Sequence, residues 1–95
     1  MNKEQAWPVV HNAAQSRFEA VIDGLLCVAE YHTRGNVMVM THTVVPQALE
    51  GRGIAGALVR VAIAHARQHG LRIEPQCSYV AAYMQRHPET HDLRA

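Results

Sequence analysis

Cys77 is the side chain best suited to covalent chemistry. It follows Pro75 and Gln76 and begins a segment, residues 77–87, that we predict to be a helix. A helix N-terminus stabilises a thiolate through its dipole and its unpaired N–H groups. Cys77 is therefore a candidate nucleophile, and the alternative is a buried or capping cysteine without chemistry. Cys27 lies inside an apolar strand pattern and is interpreted as a core residue.

His42 is the candidate base. It lies within residues 37–45, which we predict to be a strand, and period-two alternation places it on the same face as Met38, Met40 and Val44. A histidine there can accept a proton from an incoming amine or from Cys77 at neutral pH. The alternative is a structural histidine whose ring nitrogens are satisfied by hydrogen bonds.

A glycine-rich turn, residues 51–56 (GRGIAG), precedes a predicted helix. Glycine inside a helix costs about 1 kcal/mol relative to alanine, so a compensating role is expected. The unpaired N–H groups at a helix N-terminus bind phosphate, and glycines let the phosphate approach the backbone. The alternative is a tight strand-to-helix turn that binds nothing.

Two other ligand classes fit the sequence poorly. The G-x-G-x-x-G spacing follows an antiparallel pattern without further βαβ repeats, so we interpret the match to dinucleotide-binding proteins as fortuitous. Among the seven histidines, His65 and His69 are four residues apart, but no third ligand accompanies them. We predict no metal site. Tyr79 and Tyr83 are expected to pack against the sheet rather than act as catalytic acids.

Length and charge narrow the class of protein. The 95 residues suffice for one domain, which we place at residues 9–95 after a flexible leader at residues 1–8. The net charge of +1 argues against nucleic-acid binding. No apolar run is long enough for a membrane span, and no signal peptide is visible. We expect a cytoplasmic protein with free thiols that is a monomer or a weak dimer.

Alternating apolar residues predict strands in the first half of the chain. They are expected at residues 9–12, 17–23, 25–32 and 37–45. Asp23 and Gly24 predict a tight hairpin turn, residues 33–36 predict a second turn, and Pro46 ends the last strand. Phe18, Ala20 and Ile22 are expected to share a buried face. These strands form a predicted antiparallel meander.

The second half of the chain alternates helix and strand. We predict a helix at residues 53–69, a strand at 71–75 and a helix at 77–87. The apolar face of the first helix is predicted to contain Ile54, Leu58, Val61, Ala62 and His65. A strand–helix–strand unit usually gives a parallel pair, so the predicted fold is α+β: a mixed sheet with a meander, a β-α-β crossover and two main helices.

Five short motifs together resemble minimal, single-domain members of the GNAT (GCN5-related) superfamily of N-acetyltransferases. They are His42-Thr43, Val45-Pro46, the glycine turn, P-x-C-x-[FY]-V at residues 75–80, and His87-Pro88-Glu89. The superfamily's pyrophosphate loop reads [Arg/Gln]-x-x-Gly-x-[Gly/Ala], and Gly53 and Ala55 occupy its last two defined positions. Two residues depart from the pattern: Glu50 stands at the first loop position, and Val44 stands where the subgroup has glutamate.

The resemblance implies an acetyl-CoA-binding N-acetyltransferase with a GNAT-like sheet. The pyrophosphate of the cofactor would bind the backbone amides of Arg52, Gly53, Ile54, Ala55, Gly56 and Ala57. The pantetheine arm would lie along Thr43, Val44 and Val45. Cys77 and His42 would flank the thioester, and the acetyl group would pass to an unidentified amine acceptor directly or through an acetyl-cysteine at Cys77.

Two further hypotheses stay open at this point. The departures at Glu50 and Val44 suit a non-catalytic CoA-binding or protein-interaction module with the same fold. A small structural domain without a cofactor would use the same glycines only to shape the turn.

Overall fold

One five-stranded sheet organises the α+β fold of the computed structural model, which describes residues 7–95. The strands are β1 (Val10–Asn12), β2 (Arg17–Ile22), β3 (Leu25–Arg34), β4 (Val37–Val44) and β5 (Arg72–Pro75). The helices are α1 (Ile54–Gln68) and α2 (Ser78–Arg86). Single-turn and longer 3-10 segments lie at Ala13–Gln15, Gln47–Leu49 and Pro88–Leu93. Residues 1–6 of the predicted leader lie outside the described residues.

The first four strands form the predicted antiparallel meander in the order β1-β2-β3-β4. Asp23 and Gly24 both have positive φ, 53° and 76°, as a type I′ hairpin turn requires. The register that this turn produces pairs Phe18 with Ala29 and Ala20 with Cys27. The buried face predicted for β2 is confirmed, because Phe18, Ala20 and Ile22 are all buried.

The predicted crossover is also confirmed. The chain leaves β4, forms α1 and returns as β5, which pairs with β4 in parallel. This pairing extends from Val37 opposite Arg72 to Met40 opposite Pro75 and then stops, because β5 ends at the proline. Strand β4 is therefore an interior strand along its first half, where Met38, Val39 and Met40 are buried.

Helix α1 covers the sheet with a face slightly different from the predicted one. Ile54, Leu58 and Ala62 are buried as predicted, but Val61 is 36% exposed. The buried stripe also contains Val59, Ile63 and Ala66, so it is rotated away from Val61. The prediction for Val61 is wrong because a short helix can place its apolar stripe at several angles, and only packing on the sheet selects one.

The C-terminal segment packs on the helices. Arg67 of α1 donates to the Asp92 carboxylate at 2.9 Å, and Leu93 is buried. The buried hydroxyl of Thr90 donates to the His87 carbonyl at 2.7 Å. These contacts hold the far end of α2 against α1.

Candidate functional site

The glycine turn leads directly into the N-terminus of α1. Gly51 and Gly53 have φ of 80° and 81°, a left-handed conformation that favours glycine, and Gly53 is the N-cap residue of α1. Within residues 7–95 no side chain caps α1, and its first turn contains no acidic residue. The N–H groups of Ile54, Ala55 and Gly56 therefore have no partner within the helix, and the helix dipole adds partial positive charge there.

The prediction that included the N–H of Ala57 does not fit this geometry. Ala57 donates to the carbonyl of Gly53 at 3.1 Å, which is the first hydrogen bond of the helix. Its side chain is buried in the core. Its amide is occupied, whereas the N–H groups of Ile54, Ala55 and Gly56 have no partner within the helix.

A pocket of about 260 Å³ lies at this helix end. Its lining residues are Val45, Leu49, Glu50, Gly51, Gly53, Ile54, Ala55, Gly56 and Tyr79. A Cβ added at Gly56 would lie 3.5 Å from the Tyr79 hydroxyl, so the turn faces the first turn of α2. Five of the predicted cofactor-binding residues line the pocket: Val45, Gly53, Ile54, Ala55 and Gly56.

Arg52 supports the turn from the side. Its guanidinium donates to the Asp23 carboxylate at 3.0 Å and lies 5.2 Å from the centre of the Trp7 ring. The indole N–H of Trp7 donates to the Arg52 carbonyl at 3.2 Å. The Arg52 side chain thus holds the turn to the β2–β3 turn and to Trp7, and it is not among the residues that line the pocket.

Cys77 lies at the N-cap of α2, as the sequence predicts, next to the end of β4. Its N–H donates to the carbonyl of Met40 at 2.9 Å, where the pairing of β4 and β5 stops. Its thiol donates to the Thr43 hydroxyl at 3.4 Å. Thr43, predicted to bind the cofactor, is therefore also the partner of the sulfur.

The environment of Cys77 favours its thiolate. Burial, the largest influence, raises the pKa of the thiol, but the hydrogen bond with Thr43 opposes it. Backbone N–H groups of Val80, Tyr79 and Thr43 also lower the pKa. As a net result, the pKa of Cys77 lies below its usual value. Burial alone raises the pKa of the Cys27 thiol. The pKa values of the two cysteines are therefore shifted in opposite directions.

His42 does not continue the buried face of β4. The pairing of β3 and β4 shifts between Glu30 and Tyr31, which leaves Thr41 as an extra residue between Met40 and His42. Alternation breaks there, so Met38 and Met40 are buried whereas His42 and Val44 are exposed. The prediction of one shared face is wrong because a bulge intervenes.

The acidic side chain close to His42 is Glu30, which the sequence alone does not indicate. The His42 side chain is 70% exposed, and its Nδ1 lies 3.7 Å from the Glu30 carboxylate. Glu30 is opposite His42 on β3, and that register depends on the bulge. His42 is next in the chain to Thr43, which contacts the sulfur of Cys77. The His42 side chain itself faces solvent.

The histidines of α1 form ring contacts rather than a metal centre. His65 stacks on His69 with ring centres 4.2 Å apart. Across residues 7–95 no group of three or more His, Cys, Asp or Glu side chains is arranged to hold a metal ion. Within the same residues, no helix is long and apolar enough to cross a membrane.

A model of the protein family described as GCN5-related N-acetyl-transferase matches residues 17–93, which include the glycine turn, His42 and Cys77. The chain belongs to the GCN5-related N-acetyltransferase family. A similar solved structure is the solution structure of a GCN5-like protein from Staphylococcus aureus, with a TM-score of 0.75 and 22% sequence identity. The likeness covers 94% of this chain and 88% of that one, and it concerns the fold. A comparison with curated proteins finds no match.

As a member of the GCN5-related N-acetyltransferase family, this chain belongs to a class of acyltransferases. Proteins of this class generally use acetyl-CoA. The pocket could hold a phosphate group, because it combines three N–H groups without intrahelical partners, a helix dipole and glycines without side chains.

Proposed function

We propose that this protein transfers an acetyl group from acetyl-CoA to an amine. The observation that carries the proposal is the N-terminus of α1, which lacks a cap and an acidic first turn and opens into a pocket lined by Gly53 and Gly56. In a member of this family, that geometry suits the pyrophosphate of the cofactor.

The pyrophosphate accepts hydrogen bonds from the N–H groups of Ile54, Ala55 and Gly56. Gly51 keeps the approach open, because no atom of residues 7–95 lies within 4 Å of the position that a Cβ on Gly51 would take. Glu50 also lines the pocket. Its carboxylate opposes the anion, so the backbone amides must supply the attraction.

The pantetheine arm lies along the second half of β4. Strand β5 pairs with β4 only as far as Met40, so residues 41–44 lack a strand partner on that side. The N–H and C=O groups exposed along that edge can bind the amides of the arm in the manner of an added strand. This path leads from Val45, in the pocket, towards Thr43 and Cys77.

Cys77 acts as a nucleophile in one of two routes that we propose. The thiolate attacks the acetyl carbonyl, a new C–S bond forms, and the bond to the CoA sulfur breaks as CoA leaves as its thiolate. A neutral amine then attacks the acetyl-cysteine and releases the Cys77 thiolate. In the other route the amine attacks acetyl-CoA directly, and Cys77 contributes only contacts.

His42 takes the proton that the amine loses in either route. Its ring is 70% exposed and therefore accessible to an acceptor from solvent. The Glu30 carboxylate lies 3.7 Å from Nδ1, where it can form an ion pair with the imidazolium that results.

Intact mass measurement after incubation with acetyl-CoA tests the covalent route. We expect an acetyl adduct in the wild type and in Cys27→Ala, and no adduct in Cys77→Ser. Hydroxylamine should remove the adduct, because it cleaves thioesters. Acetyl-CoA consumption with a panel of amines is measured in parallel. Turnover that persists unchanged in Cys77→Ser identifies the direct route, and absence of turnover with every amine contradicts the enzymatic proposal.

A CoA-binding module without catalysis is the second candidate, and Glu50 at the pocket favours it. It predicts that acetyl-CoA binds while neither an adduct nor turnover appears. Failure of acetyl-CoA to bind at millimolar concentration contradicts both candidates.

A further inference from the structure

A second pocket continues from the glycine turn along the groove between α1 and α2. Its volume is also about 260 Å³. Its lining residues are Gly53, Gly56, Arg60, Tyr79, Tyr83, Arg86 and His87. Gly53, Gly56 and Tyr79 line both pockets, so the two form one continuous depression. We call this second pocket the helix groove.

The described residues that line the helix groove are basic or neutral. Arg60 and Arg86 contribute their guanidinium groups, His87 contributes an imidazole, and no acidic side chain is among the lining residues within 7–95. Arg17, Arg34, Arg52 and Arg67 each pair with a carboxylate. Arg86 is exposed and forms no ion pair within the described residues. Its charge is available to an anion in the groove.

The walls of the helix groove are held in place. The His87 ring stacks on the Tyr83 ring with centres 3.9 Å apart, and His87 Nδ1 donates to the Tyr83 carbonyl at 2.7 Å. Tyr83 itself is buried against the core. Arg60 lies one turn beyond Gly56 on α1, about 6 Å along the helix axis. A ligand bound at the glycine turn can therefore extend directly into the groove.

We propose that the helix groove binds the 3′-phosphate of coenzyme A through Arg60 and Arg86. This inference rests on the proposed function, which places the pyrophosphate at Ile54, Ala55 and Gly56. Beyond the pyrophosphate, CoA continues as an adenosine with a phosphomonoester at its 3′ oxygen. Guanidinium groups bind phosphomonoesters through paired, charge-assisted hydrogen bonds. The groove thus confers selectivity for CoA over nucleotides that lack the 3′-phosphate.

A calorimetric titration with CoA and with 3′-dephospho-CoA tests the proposal. The titration contains no acceptor, so a phosphate on an acceptor cannot account for the result. We expect the wild type to bind CoA on the order of tenfold more tightly, as one charge-assisted contact provides. The salt concentration is about 0.15 M, where charges more than about 8 Å apart are largely screened.

Arg86→Gln and Arg60→Gln should each weaken CoA binding several-fold while 3′-dephospho-CoA binds as before. The matched control is Arg34→Gln, which removes one positive charge that is paired with Glu74 and lies outside both pockets. In Arg34→Gln, the ratio of the affinity for CoA to the affinity for 3′-dephospho-CoA should equal the wild-type ratio. Arg86 is exposed, so Arg86→Gln keeps the test valid even if Arg60→Gln lowers the melting temperature.

Equal wild-type affinities for the two ligands would overturn the groove assignment and leave the proposed function intact. A ratio that stays at its wild-type value in both arginine variants would overturn it as well. Failure of both ligands to bind the wild type would instead refute the proposed function.

Discussion

At the scale of single residues, the reactivity of Cys77 depends on a side chain 34 positions away. The Thr43 hydroxyl and nearby N–H groups favour the Cys77 thiolate against the effect of burial. Cys27 lacks such partners, and burial raises the pKa of its thiol. The pKa values of the two thiols are therefore shifted in opposite directions.

Thr43→Val should raise the pKa of Cys77, because valine cannot hydrogen-bond to the thiolate. The measurement is the rate of iodoacetamide alkylation of Cys77 as a function of pH, followed by mass spectrometry. Thr41→Val is the matched control, because it removes a hydroxyl that donates to the Glu30 carbonyl at 3.4 Å rather than to sulfur. A pH profile of Thr43→Val that overlays the wild-type profile would contradict this account.

At the scale of elements, glycines at two different turns have different roles. Gly56 is helical, and a Cβ there would meet the Tyr79 hydroxyl at an ordinary contact distance of 3.5 Å. Gly35 occupies the β3–β4 turn with φ of 60°, where an L-residue is strained. Under the proposed function Gly56 leaves room for the ligand, whereas Gly35 permits a backbone conformation.

Gly56→Ala should therefore weaken acetyl-CoA binding without lowering stability, since alanine in a helix adds up to about 1 kcal/mol. Gly35→Ala should lower the free energy of unfolding by about 1 kcal/mol and leave the affinity unchanged. Urea unfolding and calorimetric titration of both variants measure the two effects. Unaltered affinity in Gly56→Ala would place the ligand elsewhere.

A group of rings joins α1 to the meander. His11 stacks on Phe18 with centres 4.4 Å apart, accepts or donates a hydrogen bond with the Tyr31 hydroxyl at 2.7 Å, and contacts His65 edge-on. Burial, followed by the charge of His69, lowers the pKa of His11. Burial, followed by the charges of His11 and His69, lowers the pKa of His65. Protonation of this group therefore opposes folding.

The free energy of unfolding should fall as the pH decreases through the range of an unfolded histidine, near 6.5. The unfolded state binds more protons there, because the pKa values of His11 and His65 are lowered only in the folded state. Urea unfolding at pH 7.5 and 5.5 measures the loss, which should be smaller in His65→Gln. Exposed His32, replaced by Gln, is the control and should retain the wild-type loss.

Three carboxylates affect the free energy of unfolding at a lower pH than the histidines do. Hydrogen bonds from arginines lower the pKa values of Glu19, Glu74 and Asp92 below their ordinary values of 4.5, 4.5 and 3.8. Their contribution to stability is lost only as the pH falls further. An equal loss between pH 7.5 and 5.5 in His65→Gln would show that the ring group does not carry the effect.

At the scale of the whole molecule, local patterns predict most of the fold. Alternation predicts β2, the Asp23–Gly24 pair predicts its turn, and the glycines and Gly70 bracket α1. The placement of Cys77 at a helix N-terminus also follows from the neighbouring proline. Each of these features is encoded within a few consecutive residues.

Features that depend on pairing between distant segments are not predictable in this way. The bulge at Thr41 arises from the register of β3 with β4, and it turns His42 from the predicted buried face to solvent, opposite Glu30. The contact of Thr43 with Cys77 depends on where β5 stops pairing. The spacing of residues in the sequence indicates neither the β3–β4 register nor the residue at which β5 stops pairing.

We propose that acetyl-CoA binds along the N-terminus of α1 and the edge of β4 beyond its pairing with β5. An amide ¹H–¹⁵N NMR titration of the full chain with acetyl-CoA measures where it binds. We predict the largest shift changes at Ile54, Ala55 and Gly56, with further changes at Thr43 to Val45. Saturable binding whose shift changes lie away from these residues, or no shift change at millimolar acetyl-CoA, would contradict the claim.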